Sequence, residues 1–285
     1  MSDLGPPPQR VTVSVEQVRE LVAGQFPQWA GLPVEPVAAG GWDNFTFHLG
    51  TGMSLRLPSA AEYALAVEKE HRWLPVLAGR LPLPIPAPLG RGEPGAGYPF
   101  PWSVHRWLAG EPARPELITD PVRFALDLAD FLLALRSVDA TDGPRPGLHN
   151  WFRGGTLRTY EPLFTRDTAI VRAIWADALD AEEEAAPDRW FHGDVAAGNL
   201  LVEDGRLSAV IDFGTCGVGD PACDLAVAWT LLTAEGRTVF RERLAVGDAE
   251  WARGRGWALW KTLAHDDTSR VLDEIVAEFT GEASS

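Results

Sequence analysis

The chain has 285 residues, 46% of them hydrophobic and 23% charged, which suits a water-soluble fold long enough to divide into two compact bodies. Its formal net charge of −15 argues against nucleic acid as a partner, since such binders carry a basic footprint, whereas cationic small molecules would be attracted. With no apolar run near the ~18 residues that span a bilayer, no signal-peptide order at the N-terminus, and only Cys216 and Cys223 as thiols, a cytoplasmic protein with neither a membrane nor an obligate protein partner is expected.

Residues 1–10 are proline-rich and read as a flexible arm. Ser14 and Gln17 form a capping box that opens a helix with Val18, Leu21 and Val22 on one face. Three short strands are predicted at 34–38, 45–49 and 53–57, joined at Gly40-Gly41 and at Gly50-Thr51-Gly52. Helical spacing returns over 61–77 in Leu65, Trp73, Leu74 and Leu77. The alternating prolines of 81–88 exclude helix and central strand, so that stretch is an extended connector, followed by strands near 98–100 and 102–107. A composition change at 108–112 marks a hinge. Beyond it helical periodicity dominates, over 121–137, 156–165 and 169–184, and again from 223 to 232 and on towards 279. The exception is a hairpin over 200–213, turning at Glu203-Asp204-Gly205. The expected organisation is α+β: an arm at 1–10, a small β-rich N-terminal lobe over 11–107 and a larger, mainly helical C-terminal lobe over 108–285.

The chemistry-bearing residues flank that hairpin. His192-Gly193-Asp194 and Asn199 precede its first strand, and Asp212-Phe213-Gly214 follows its second, so three oxygen-bearing side chains converge. Phosphoryl transfer asks for such a set: hard oxygen ligands for Mg²⁺ and a carboxylate at the attacking oxygen. The spacing of His192, Asp194 and Asn199, with Asp212-Phe213-Gly214 after a strand, is similar to the protein-kinase signature. With Gly193 in the middle and Asp220-Pro221-Ala222-Cys223-Asp224 downstream, it more closely resembles the aminoglycoside phosphotransferase family, a branch of the protein-kinase-like fold.

That resemblance implies ATP or GTP as co-substrate, Mg²⁺ as cofactor and a small-molecule hydroxyl as acceptor. Asp194 would orient or deprotonate the acceptor, Asn199 and Asp212 would bind the metal, and His192 would brace the loop. Asp220 and Asp224 would hold loop and helix ends together. Gly40, Gly41 and Asn44 resemble the turn that covers the nucleotide; Arg56, with Glu70 as partner and Glu68 as rival, stands where protein kinases carry lysine. Arginine brings a planar fork in place of a point charge, and the departure leaves a nucleotide-binding pseudoenzyme as the alternative. Arg106 and Leu108 would offer backbone groups to the base, with His105 beside them. For the acceptor an aminoglycoside is expected first, with a macrolide, amino-alcohol or sugar as alternatives. Asp177, Asp180, 182–184, Trp257, Trp260, His265, Asp266 and Asp267 are the candidate residues around it, while the plainer reading makes 182–184 a solvated helix end and the tryptophans core.

Overall fold

The computed structural model describes residues 7–38, 40–163, 168–183, 187–263 and 269–281. The chain forms two compact units, one built from Pro6–Gly79 and Pro84–Ala109, the other from Gly110–Ser285 with Arg80–Leu83.

In the first unit, helix α1 spans Val15–Gln25, and the Ser14 hydroxyl accepts from Gln17 N at 3.2 Å, as the capping box requires. Five antiparallel strands follow: β1 Val34–Pro36, β2 Asn44–Leu49, β3 Met53–Pro58, β4 Pro88–Gly92 and β5 Trp102–Arg106. They lie side by side in the order β1-β2-β3-β5-β4. Helix α2, Ala61–Ala78, packs against β3, β4 and β5. Phe47, Leu49, Leu55, Leu57, Trp102 and Val104 form the core with Val18, Leu21 and Val22 of α1. Residues 7–10 include Arg10, whose guanidinium lies 4.5 Å from the centre of the Trp42 ring.

One expected strand is replaced here. The 98–100 segment is not a strand: Tyr98 makes an isolated bridge to Gly95 inside a turn. The fifth strand is β4, which begins at Pro88, the last proline of the connector. An edge strand tolerates proline at its first position because no ladder partner needs that missing N–H. Gly92 at its far end is required by packing, since a Cβ there would fall 2.0 Å from the Trp102 ring.

In the second unit, β6 Glu111–Pro112 pairs with β8 Leu200–Glu203, and β8 with β9 Arg206–Val210, all antiparallel. The β8–β9 turn carries positive φ at both Asp204 (51°) and Gly205 (79°), the geometry of a two-residue hairpin. Strand β7, Arg189–Phe191, pairs with β10, Gly217–Gly219. These strands are too short to leave an alternating pattern, yet they frame both motif loops: β7 runs into His192, and β10 leaves from the Asp212 segment. The helices are α3 Pro121–Arg136, α4 Ala169–Asp180, α5 Val227–Thr230, α6 Ala234–Leu244, α7 Asp248–Leu263 and α8 Ser269–Thr280. Two expected helices come out shorter. A 3₁₀ segment, Leu157–Leu163, replaces the helix at 156–165, and Pro221–Ala226 is 3₁₀ before four residues of α5. Among the described residues no helix is long and apolar enough to cross a membrane.

Candidate active site

The site on the second unit begins with backbone geometry. Gly193 has φ +85°, and a Cβ there would meet the Thr215 carbonyl oxygen at 2.5 Å. Only glycine lets the loop turn this close to the Asp212 segment. The turn is anchored from below by Asp224, fully buried, whose two oxygens accept from His192 N (2.9 Å) and Gly193 N (2.7 Å). Burial pushes the Asp224 carboxyl up, and those two backbone N–H groups pull the other way.

His192 joins the two motifs. Its Nε2 donates to the Ile211 carbonyl at 2.9 Å, and its Nδ1 accepts from Asp194 N at 3.2 Å, which defines the neutral tautomer with hydrogen on Nε2. The ring also meets Phe213 edge-on at 4.6 Å between centroids. Asn199 and Asp212 are tied through the backbone, Ile211 N donating to the Asn199 carbonyl at 2.8 Å. Asp212 itself has φ +65°, an uncommon conformation for a side-chain-bearing residue and one that clusters at functional sites.

Asp194 is the most heavily engaged carboxylate. Asn199 Nδ2 donates to its carbonyl at 2.9 Å and to its Oδ2 at 3.1 Å, while Lys261 Nζ donates to its Oδ1 at 2.6 Å. Burial disfavours ionisation, but the Lys261 ammonium and the Arg153 guanidinium outweigh it and hold the carboxyl well below the usual carboxylate range. Arg153 is placed by a polar-aromatic stack. Its Nε donates to the Gly193 carbonyl at 3.1 Å, its Nη1 to Tyr160 Oη at 2.8 Å, and its guanidinium sits 4.1 Å from the Trp260 ring centre. Tyr160, Trp257 and Trp260 pack on one another with centroids 4.5 to 5.9 Å apart.

Lys261, Arg153 and Tyr160 were not picked out by the sequence reading. The only available signal was rarity: Lys261 is one of two lysines in the chain, the other being Lys69. Of the residues considered for the acceptor, Trp257 and Trp260 are core, 1% and 8% exposed. Asp177 pairs with Arg255, and Glu182 accepts from Leu157 N and the Thr156 hydroxyl, while Asp180 is exposed. Glu184, His265, Asp266 and Asp267 lie outside the described residues. Asp220 caps the 3₁₀ turn through Ala222 N and receives Arg253 Nε at 2.7 Å.

The expected nucleotide residues belong to the first unit. Gly40 and Gly41 are exposed just before β2, and Asn44 opens that strand opposite Pro58. Arg56 lies mid-β3 opposite Ser103, and Glu70 is buried on α2. Glu68, the rival partner, is exposed and pairs with Arg91. Arg106 closes β5, its N–H donating to the Ala87 carbonyl, and Leu108 follows two residues on. His105 is 1% exposed, and among the described residues neither ring nitrogen finds a hydrogen-bond partner. Burial first, then Arg56 and His71, push its pKa down to about 3.

The donor chemistry also bears on a metal. Asn199 spends its Nδ2 on Asp194, so the atom suited to a hard cation, Oδ1, is the one not spent there. Mg²⁺ takes one or two protein oxygens together with substrate phosphates. Asn199 and Asp212 fit that demand.

A family model described as the phosphotransferase enzyme family (APH) matches residues 34–257. The chain belongs to this family. Its motif resemblance and its α+β, kinase-like fold are thereby established, and the protein is a phosphotransferase. No curated protein sequence matches it. Among solved structures, the GDP complex of wild-type aminoglycoside 2'-phosphotransferase-IIIa is 18% identical with TM-score 0.73, covering 94% of this chain and 99% of that one. The macrolide 2'-phosphotransferase of Brachybacterium faecium, an apoenzyme, is 23% identical with TM-score 0.60, covering 94% of each. Aminoglycoside phosphotransferase APH(4)-Ia is 19% identical with TM-score 0.62, covering 95% and 100%. As in any member of this phosphotransferase family, function has to be argued from the site, because the fold alone does not name the acceptor.

Proposed function

We propose that the protein moves the γ-phosphoryl group of a magnesium-bound nucleoside triphosphate, ATP or GTP, onto a hydroxyl of a small molecule. The observation that carries this reading is the Asp194–Asn199 pairing, with the Asn199 carbonyl accepting from the N–H of Ile211, the residue before Asp212. The acceptor hydroxyl donates a hydrogen bond to Asp194. As its oxygen bonds to the γ-phosphorus, its proton passes to the carboxylate and the γ-phosphorus–bridging oxygen bond breaks, releasing nucleoside diphosphate. A carboxylate held below its usual pKa range is a weak base, so Asp194 orients first and accepts the proton late.

Asn199 and Asp212 would hold Mg²⁺, which would supply charge compensation for the triphosphate. Gly40, Gly41 and Asn44 give the phosphates a close backbone cover. Arg56, with Glu70 as its partner, grips the triphosphate through a fork where protein kinases use the point charge of a lysine. Backbone groups of Arg106 and Leu108 meet the base. We take the reaction to occur in the cytoplasm, in keeping with two buried cysteines, Cys216 and Cys223, that form no disulfide.

The acceptor we put first is an aminoglycoside-type antibiotic. One neighbour was solved with GDP and kanamycin, and the chain's net charge of −15 favours a polycation. The 23% identity to a macrolide kinase supports a macrolide as the second reading. Purified protein incubated with Mg-ATP or Mg-GTP and a panel of both antibiotic classes, amino-alcohols and sugars should give one product heavier by one phosphoryl group. In that assay Asp194→Ala should lower kcat about 10²- to 10⁴-fold while nucleotide affinity stays near wild type. Asp212→Ala should lose magnesium-dependent nucleotide binding. Tight nucleotide binding with transfer to no acceptor would instead support a pseudoenzyme.

A further inference from the structure

We propose that Lys261 is a positioning residue of the phosphotransfer reaction, holding the Asp194 carboxylate jointly with Asn199; the inference rests on the functional reading above. Lys261 Nζ lies 2.6 Å from Oδ1 and Asn199 Nδ2 lies 3.1 Å from Oδ2. A carboxylate offers about four acceptor sites. One donor on each oxygen stops the group rotating about its bond to Cβ and still leaves a lone pair on each oxygen for the acceptor hydroxyl. With Asn199 alone, the carboxylate is held at one corner. Productive attack needs alignment within a few tenths of an ångström, so a rotating carboxylate slows chemistry without weakening binding.

The lysine is delivered by a rigid element. Helix α7 packs so closely that a Cβ on Gly254 would fall 2.6 Å from Leu225, and one on Gly256 2.6 Å from Ala178. Two turns before Lys261, the nearly buried Arg253 is fastened to Asp220 and to the Ala181 carbonyl. The preceding residue, Trp260, supports Arg153, which in turn holds the Gly193 carbonyl. Long cationic side chains ordinarily reach for water, yet the Lys261 side chain is only 15% exposed. The residue type also fits. Of 25 basic residues in the chain only two are lysines, and here an arginine fork would take both carboxylate oxygens and displace Asn199.

The test uses Lys261→Ala, Lys261→Arg and Asp194→Ala in the full chain. Transfer is measured to kanamycin and to erythromycin, and to water as hydrolysis of Mg-ATP and Mg-GTP. Lys261→Ala should lower kcat about 10²-fold with acceptor KM, nucleotide Kd and Tm near wild type. Added ethylammonium should restore part of that kcat in Lys261→Ala and none in wild type. Lys261→Arg should remain impaired. Unchanged kcat in Lys261→Ala, a raised acceptor KM at normal kcat, full activity in Lys261→Arg, or a Tm loss that ethylammonium does not relieve would each overturn the proposal.

If Lys261→Ala is active while Asp194→Ala is not, only the role of Lys261 falls. If Asp194→Ala retains wild-type turnover, the functional reading falls and takes the proposal with it. A readout without turnover comes from protein carrying nitrogen-15 at lysine Nζ, which should show two ammonium signals, the Lys261 one assigned by its loss in Lys261→Arg. Asp194→Asn should move that signal and leave the Lys69 signal in place; a stationary Lys261 signal would rule out the contact.

Discussion

At the scale of single residues, His105 carries the clearest consequence for stability. A buried imidazole with neither nitrogen hydrogen-bonded is held neutral, its pKa pushed down to about 3 by burial, Arg56 and His71. In the unfolded chain it titrates near 6.5. The folded state therefore binds its proton less readily, so stability is full above about pH 6.5 and is lost as pH falls towards about 3. His105→Leu removes both the unpaired nitrogens and this proton linkage. Thermal melts should show the variant gaining on wild type as pH falls, by about 2 kcal/mol at about pH 5; parallel Tm curves would contradict this. The contrast with Asp194 is instructive. One group is neutralised by burial beside like charge, the other is kept charged by two opposite charges. Neither environment is visible in the sequence, because His105 faces residues from other elements and Asp194 meets Lys261 across 67 positions.

At the scale of elements, the Pro221–Ala226 turn and α7 both reach the catalytic loop, the one through Asp224 and the other through Lys261. Asp224 is the post beneath the loop: its carboxylate satisfies two buried N–H groups that have no other partner in the described hydrogen bonds. Asp224→Ala leaves both unsatisfied and should cost about 3 kcal/mol, seen as a drop of several degrees in Tm together with loss of transfer. A variant that melts like wild type would show that the loop does not depend on this post. The hairpin β8–β9 was legible from its apolar runs and the Asp204-Gly205 turn, because turn chemistry is local. The β7–β10 pair was not. Three-residue strands have no readable period, and they form because each supplies the other's missing hydrogen bonds. The edge strand β4 was hidden by its own prolines for a related reason: propensity argues against it, and pairing with β5 overrides propensity.

At the scale of the whole molecule, the net charge of −15 acts on any charged acceptor before contact. If kanamycin is the acceptor, its KM should rise several-fold as ionic strength goes from about 0.01 M to about 0.15 M, since the screening length falls from ~30 to ~8 Å. A macrolide with a single amine should respond far less, so the salt dependence of KM separates the two readings independently of turnover. An unchanged KM for kanamycin would show that long-range attraction contributes nothing.

By itself the sequence determined the reaction class and the order of the parts. The spacing of His192, Asp194, Asn199 and Asp212-Phe213-Gly214 is a local property of loops and a hairpin, so it survives in one dimension, and the family match over 34–257 agrees with it. Tertiary structure alone decided how Asp194 is held. Lys261 and the Arg153–Trp260–Tyr160 stack reach the loop from α7 and from the 151–163 region, and packing, which has no sequence spacing, brings them there. It also decided between the two readings of Trp257 and Trp260 in favour of the core, because an aromatic in a helix looks the same in sequence whether it faces a ligand or a neighbouring ring.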